Sequence, residues 1–160
     1  MAEPTASKRL MWLVIFAAFV VAVPMYALVA WQMRGADPPP VSYLPSVRPV
    51  LAVFAGLQLL AAILVARLRM TVDSELMTGM TGGKPIPDPQ SFMQTSVVAI
   101  GLAEAPAVLG FVLCVLGAPL ENFVWYGAGS LIVLLGVILP LGLRYWSAWE
   151  AQQKRTGRGK

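Results

Sequence analysis

The amino-acid sequence predicts an all-α, polytopic membrane protein whose four transmembrane helices form an antiparallel bundle in one domain. Of its 160 residues, 58% are hydrophobic and only 12% are charged, which is about half the charged share of a typical soluble domain. The apolar residues form long blocks instead of periodic stripes, and a helix needs about 20 mostly apolar residues to cross a bilayer. The four predicted spans cover residues 10–31, 49–66, 95–117 and 123–143.

The first span, from Leu10 to Trp31, contains 22 residues and no charge. The apolar core of a signal peptide is shorter, at about 7–15 residues, so we expect this helix to be retained. Pro24 lies inside the span and removes one backbone donor, which predicts a bend.

The second span is predicted to follow an irregular, proline-rich connection over residues 32–48. Pro49 suits the first position of a helix, where the missing N–H has no partner to lose. The helix is then expected to run to Ala66, before Arg67 and Arg69.

Residues 70–91 are rich in glycine, proline and charge and predict a loop, with an optional helical turn at Asp73–Met77. The third and fourth spans are separated by the short stretch 118–122, which predicts an antiparallel hairpin. Beyond Leu143, residues 144–160 form a basic tail.

The basic residues set the predicted orientation. Because four spans place both termini and the 70–91 loop on one side, that side carries ten of the twelve Lys and Arg residues: Lys8, Arg9, Arg67, Arg69, Lys84, Arg144, Lys154, Arg155, Arg158 and Lys160. Arg34 and Arg48 lie on the other side. Cytoplasmic loops are enriched in Lys and Arg, so we expect cytoplasmic termini in a bacterial cytoplasmic membrane.

Aromatic residues near the span ends predict interfacial belts. Trp12, Tyr145, Trp146 and Trp149 would mark the inner interface, and Trp31, Trp125 and Tyr126 the outer one. The basic tail is expected to contact anionic headgroups; binding of a specific partner or of nucleic acid is the alternative, and we expect no nucleic acid.

The composition excludes most conventional enzyme chemistry. The chain has no histidine and a single cysteine, Cys114, which excludes imidazole-ligated haem, His-based metal sites, a Ser-His-Asp triad and a Cys-cluster metal site. The Gly82-Gly83-Lys84 stretch lacks the spacing of a phosphate-binding loop. We therefore expect no enzyme activity, no cofactor and no metal.

Glu104 is the only acid inside a predicted span. It lies nine residues past Thr95, which places it roughly 13 Å into a hydrocarbon layer about 30 Å thick. An ionised carboxylate at that depth costs about 2.5–3.5 kcal/mol, so desolvation favours the protonated acid. Glu104 is either a proton-binding group or a protonated residue that joins two helices by a hydrogen bond.

The residues around Glu104 bear on both interpretations, proton binding and a hydrogen bond between helices. Pro106 cannot donate to the carbonyl of Leu102, which leaves an acceptor one turn from the carboxyl. Small residues at four-residue spacing allow close helix approach: Gly101 with Ala105, and Ala103 with Ala107. Gln58, nine residues past Pro49 on the opposite-running second span, lies at a similar depth. The similar depth predicts a hydrogen bond between the Gln58 amide and the Glu104 carboxyl. A backbone group or a residue of another helix would serve equally well as the partner of Gln58.

The stretch from Ala99 to Val112 resembles the carboxylate-bearing helix of the c subunit (proteolipid) of rotary ATP synthases. The resemblance lies in an acid among small residues, followed by Gly110 and an aliphatic run. It implies that Glu104 binds the transported ion, with Gln58 as its partner on the preceding helix. Because Ala105 and Pro106 stand where sodium-binding members carry hydroxyl groups, the implied ion is a proton. The layout also looks like small four-span bacterial membrane proteins with an acid-Ala-Pro motif.

Two functions follow from these observations. In the first, Glu104 exchanges a proton at mid-membrane, either in a c-like unit or within an energy-coupling complex. In the second, the protein is a non-catalytic accessory or structural subunit that packs against other membrane subunits or copies of itself.

Overall fold

A computed structural model describes residues 4–33, 44–70 and 86–157. The helices are α1 (Pro4–Met33), α2 (Leu44–Arg69), α3 (Pro89–Val115), α4 (Leu120–Val133) and α5 (Leu139–Gly157), with a π-helical segment, Leu134–Ile138, joining α4 to α5. These described ranges contain no strand. The predicted all-α class is confirmed.

Four stretches of the described chain are long and apolar enough to cross a membrane: Ser7–Met33, Pro45–Arg69, Pro89–Val115 and Leu120–Lys154. The last of these joins α4, the π-helical segment and α5. The predicted multi-pass membrane protein is thereby supported. The predicted turn at Asp73–Met77, the Gly82-Gly83-Lys84 stretch and the cations Arg34, Arg158 and Lys160 lie outside the described residues.

Helix α2 begins one turn earlier than predicted. It starts at Leu44, so Pro49 lies inside the helix rather than at its start, and the connection does not extend to Arg48. The second residue of α2 is Pro45, at a position where a helix has no partner for the backbone N–H and a proline is therefore tolerated. Pro45, rather than Pro49, is the residue whose position suits the helix start.

Helix α3 also begins before its predicted apolar block. The carboxylate of Asp88 accepts hydrogen bonds from the backbone N–H groups of Gln90 (2.7 Å) and Ser91 (3.1 Å). Pro89 occupies the first helical position. This combination of an aspartate N-cap and a first-turn proline starts the helix six residues before Thr95.

The hairpin between α3 and α4 is as short as predicted. Gly117 has a φ of 92°, a left-handed conformation that glycine adopts without strain. Its N–H donates to the carbonyl of Cys114 (3.1 Å), and the next N–H, from Ala118, donates to Leu113 (2.9 Å). These two bonds form a Schellman motif, which ends α3 and lets α4 return beside it.

Pro140 accounts for the π-helical segment. A proline ring collides with the carbonyl four residues earlier in an α-helix, and a wider π turn relieves such a collision. The N–H of Leu139 donates to Leu134, five residues back. The helix then continues to Gly157, so most of the basic tail predicted after Leu143 is helical.

The bundle has two distinct ends. Leu51 of α2 packs in one cluster with Leu113 of α3, while Ala66 lies in another with Phe92, so α2 and α3 are antiparallel. We call the end with Leu51 and Leu113 the hairpin end, and the end with Ala66 and Phe92 the termini end.

The predicted inner aromatic belt is wrong for three of its four residues. Trp12, Tyr145 and Trp146 are each 0% exposed and lie in the main core cluster at the termini end. At the hairpin end, Trp31 and Trp125 are 63% and 78% exposed, as the belt prediction requires.

Candidate functional site

Among the described residues, Glu104 has one hydrogen-bond partner, and it comes from α1. The hydroxyl of Tyr26 lies 2.7 Å from Oε1 of Glu104. Both side chains are half-buried. The pair therefore joins α1 to α3 at a point that is neither sealed in the core nor fully exposed at the bundle surface.

Packing around Tyr26 fixes the position of its hydroxyl. Its ring lies against Phe111, with a centroid separation of 5.7 Å. Tyr26 and Phe111 both pack on a small cluster made by Val23, Ala107 and Phe123. A phenol held by its ring loses little further freedom when its hydroxyl binds, which favours a well-defined hydrogen bond.

Gln58 does not form the predicted hydrogen bond with Glu104. Its Oε1 atom is buried on α2 and has no hydrogen-bond partner among the described residues, while the carboxyl of Glu104 is bonded to Tyr26 instead. An amide oxygen is able to accept a hydrogen bond from a protonated carboxyl. The role of Gln58 at the site therefore stays a prediction, and the structure shows no hydrogen bond between Gln58 and Glu104.

As expected, Pro106 removes one backbone hydrogen bond of α3 beside Glu104. Proline has no N–H to offer Leu102, whose carbonyl therefore lacks its usual helical donor. The next N–H, that of Ala107, donates to Oγ of the buried Ser130 at 3.2 Å. A side chain of α4 thus reaches the α3 backbone next to the proline, and this contact holds α4 against the site.

The four predicted packing residues fall into two groups. Ala103 and Ala107 are fully buried, so α3 meets its neighbours along that side. Gly101 and Ala105 are half-buried, and a Cβ placed on Gly101 would meet nothing within 4 Å. The small residue at Gly101 is therefore not required by any contact that the structure describes.

The pair consists of a phenol, which both donates and accepts hydrogen bonds, and a carboxyl, which accepts them when ionised and also donates one when protonated. A carboxylate held by two or three donors is locked in its ionised form, whereas burial favours the neutral acid. Among the described residues Glu104 has a single donor, and it is half-buried. Within the described ranges, no group of three His, Cys, Asp or Glu side chains is placed to hold a metal ion.

Sequence reasoning overlooked Tyr26, although the sequence carried a signal for it. Tyr26 is the only hydroxyl-bearing residue between Leu10 and Trp31. Polar side chains inside a span tend to bond across helices, so a single hydroxyl in the first span and a single acid in the third are natural partners.

Comparisons of the chain with protein-family models, with curated proteins and with solved structures find no match. The resemblance to the ATP synthase c subunit therefore stays a prediction.

Proposed function

We propose that this small integral membrane protein binds a proton at Glu104, in the manner of a c-like subunit, and contributes to proton translocation or energy coupling. The hydrogen bond between Tyr26 and Glu104 carries the proposal. In keeping with the charge distribution, both termini face the cytoplasm of a bacterial cell. A reporter protein that fluoresces only in the cytoplasm, fused after Lys160, tests this orientation.

The hydrogen bond supports reversible proton binding in both states of the carboxyl. When Glu104 is ionised, the Tyr26 hydroxyl donates to it and partly replaces the lost solvation. When Glu104 is protonated, the same hydroxyl oxygen is able to accept, because a phenol is both donor and acceptor. The site therefore exchanges a proton without leaving either group unpaired.

The half-buried position of Glu104 supports exchange with a second component. A fully enclosed carboxyl has no route for a proton, whereas a half-buried one on α3 is reachable from the bundle surface. In a c-like arrangement, a neighbouring subunit supplies the aqueous path, since the bilayer itself contains none.

Labelling with a hydrophobic carbodiimide tests proton binding, because this reagent modifies protonated carboxyls in apolar surroundings. We expect one adduct by intact-mass spectrometry in the wild type, none in Glu104→Gln, and one in the control Glu121→Gln, whose acid is exposed at the start of α4. Labelling should fall as the pH rises. An adduct that persists in Glu104→Gln would overturn the proposal.

The Tyr26→Phe variant tests the hydrogen bond itself. Removing the donor disfavours the ionised carboxylate, so labelling should persist to a higher pH than in the wild type. A midpoint that stays in place, or that moves to lower pH, would show that the phenol does not stabilise the ionised form.

The second candidate is a non-catalytic accessory subunit, in which Glu104 is a protonated packing residue. The open space beside Gly101 favours it, since a helix of another subunit is able to approach there. Native mass spectrometry of detergent-extracted membranes separates the two. An accessory subunit retains its partners in Glu104→Gln and loses them in Gly101→Leu, whereas a c-like unit is extracted as a large homo-oligomer.

A further inference from the structure

A cavity of about 500 Å³ lies at the hairpin end, with walls from α2, α3 and α4. It is separate from the Tyr26–Glu104 pair, neither of which lines it. Several of its lining residues are exposed, among them Arg48, Gly56 and Trp125, so the cavity opens on the surface of the bundle.

One polar residue that lines this cavity has a buried donor without a partner among the described residues. Asn122 is 4% exposed, and its Nδ2 atom has no hydrogen-bond partner among the described residues. A buried donor without an acceptor destabilises a fold, and an acceptor bound beside Asn122 would remove that cost once the amide turns toward it. Asn122 also lies in the first turn of α4, where the helix dipole favours negative charge.

The second polar group is a cation. Arg48 lies at the mouth of the cavity, and no carboxylate within the described ranges forms an ion pair with it. None of the ten lining residues is acidic. The polar part of the cavity thus offers hydrogen-bond donors and positive charge without a negative group to match them.

The remainder of the cavity is apolar. It extends along α2 from Arg48 to Leu59, about 16 Å at the rise of an α-helix, and Pro106 of α3 lines it as well. That length is about half of the hydrocarbon layer, the depth of one leaflet. Beside Gly56 a Cβ would meet nothing within 4 Å, which leaves room for an aliphatic chain.

We propose that this cavity binds an anionic phospholipid. The phosphate lies between the guanidinium of Arg48 and the amide of Asn122, and one acyl chain follows α2 past Gly56 toward Leu59. A free phosphate would leave the apolar walls unfilled, and a zwitterionic lipid would bring a cation of its own to the cavity mouth beside Arg48. Trp125 and Tyr126 at the mouth suit the headgroup level, where such rings are enriched.

Native mass spectrometry of the full chain in detergent, titrated with phosphatidylglycerol or phosphatidylcholine, tests the site. We expect phosphatidylglycerol to bind the wild type more tightly. Arg48→Gln should weaken phosphatidylglycerol binding by about tenfold and phosphatidylcholine binding by less, because the choline cation already offsets the charge of that phosphate. Asn122→Ala should weaken both lipids, since both carry a phosphate, and Gly56→Leu should weaken both by filling the cavity.

Two matched controls isolate the cavity from general attraction to headgroups. Arg69 is an exposed cation at the opposite end of the same helix, and Gly136 is an exposed glycine beside which a Cβ also meets nothing. Neither Arg69→Gln nor Gly136→Leu should change lipid binding. An equal loss in Arg69→Gln, equal affinity for the two lipids, or displacement by inorganic phosphate would overturn the proposal.

Discussion

The two ends of the bundle use the same residue types in opposite ways. At the termini end, Trp12 and Trp146 are fully buried, and the rings of Phe92 and Tyr145 stack with centroids 3.6 Å apart. At the hairpin end, Trp125 is 78% exposed and borders an open cavity. One end is closed by aromatic packing, whereas the other leaves space and unpaired donors.

This difference separates a structural end from a binding end. Polar atoms at the termini end have internal partners in several cases: the Trp12 indole donates to Ser96 at 3.1 Å, and the Tyr145 hydroxyl donates to the carbonyl of Pro87 at 2.7 Å. Each end also holds a buried donor without a partner among the described residues, Nε1 of Trp146 at the termini end and Nδ2 of Asn122 at the hairpin end, but only Asn122 lines the described cavity. Dense aromatic packing predicts rigidity, and an unpaired donor beside a cavity predicts a ligand.

The largest expected effect comes from removing one tryptophan at each end. Trp12→Ala takes away a fully buried ring and its hydrogen bond to Ser96, so it should lower the free energy of unfolding by about 3–5 kcal/mol. Trp125→Ala removes a mostly exposed ring and should change it by less than about 0.5 kcal/mol. Denaturation of the two variants in the same detergent measures the difference, and equal losses would break the comparison of the ends.

A smaller effect is expected where the backbone of α5 lies against the Trp12 ring at the termini end. A Cβ placed on Gly142 of α5 would overlap the ring of Trp12, so Gly142→Ala should destabilise the protein by about 1–3 kcal/mol. Gly136→Ala is the matched control because a Cβ there meets only open space. If thermal unfolding shows the two variants to be alike, the aromatic end is looser than described.

The smallest expected effect concerns a single hydroxyl. Tyr145→Phe keeps the stacked ring against Phe92 and removes only the bond to the carbonyl of Pro87, which should cost about 1 kcal/mol. Unfolding in detergent measures it, with Tyr126→Phe at the hairpin end as the reference. A loss as large as that of Trp12→Ala would mean that the hydroxyl, rather than ring packing, closes this end.

The spans were predictable because a long run of apolar residues indicates a transmembrane helix, whatever that helix packs against. All four predicted blocks fall within described helices or their flanking turn. Their starts were less well predicted because proline and capping residues set them. Asp88-Pro89 and Pro45 carry a recognisable start signal, but both stand outside the apolar blocks that defined the predictions.

The side-chain partners could not be predicted from composition in the same way. A transmembrane helix that is apolar all round gives no indication of which side faces its neighbours. Glu104 was identified because a lone acid is visible in any orientation, whereas its partner depended on the rotation of α1 and α2. The structure brings Tyr26 to the carboxyl and leaves Oε1 of Gln58 unpaired.

The π-helical segment Leu134–Ile138 has a consequence for any helical-wheel drawing of the last span. A wider turn accommodates one residue more than an α-helix of the same rise, and each residue of an α-helix advances the direction of its side chain by about 100°. Relative to a regular helix, the additional residue therefore turns the side chains of Tyr145 and Trp146, which follow the segment, by about 100°. Deleting Gly136 together with Pro140→Ala, which removes the collision, should restore a regular helix and turn both rings away from the core, which quenching by brominated lipids would detect as newly accessible tryptophan fluorescence.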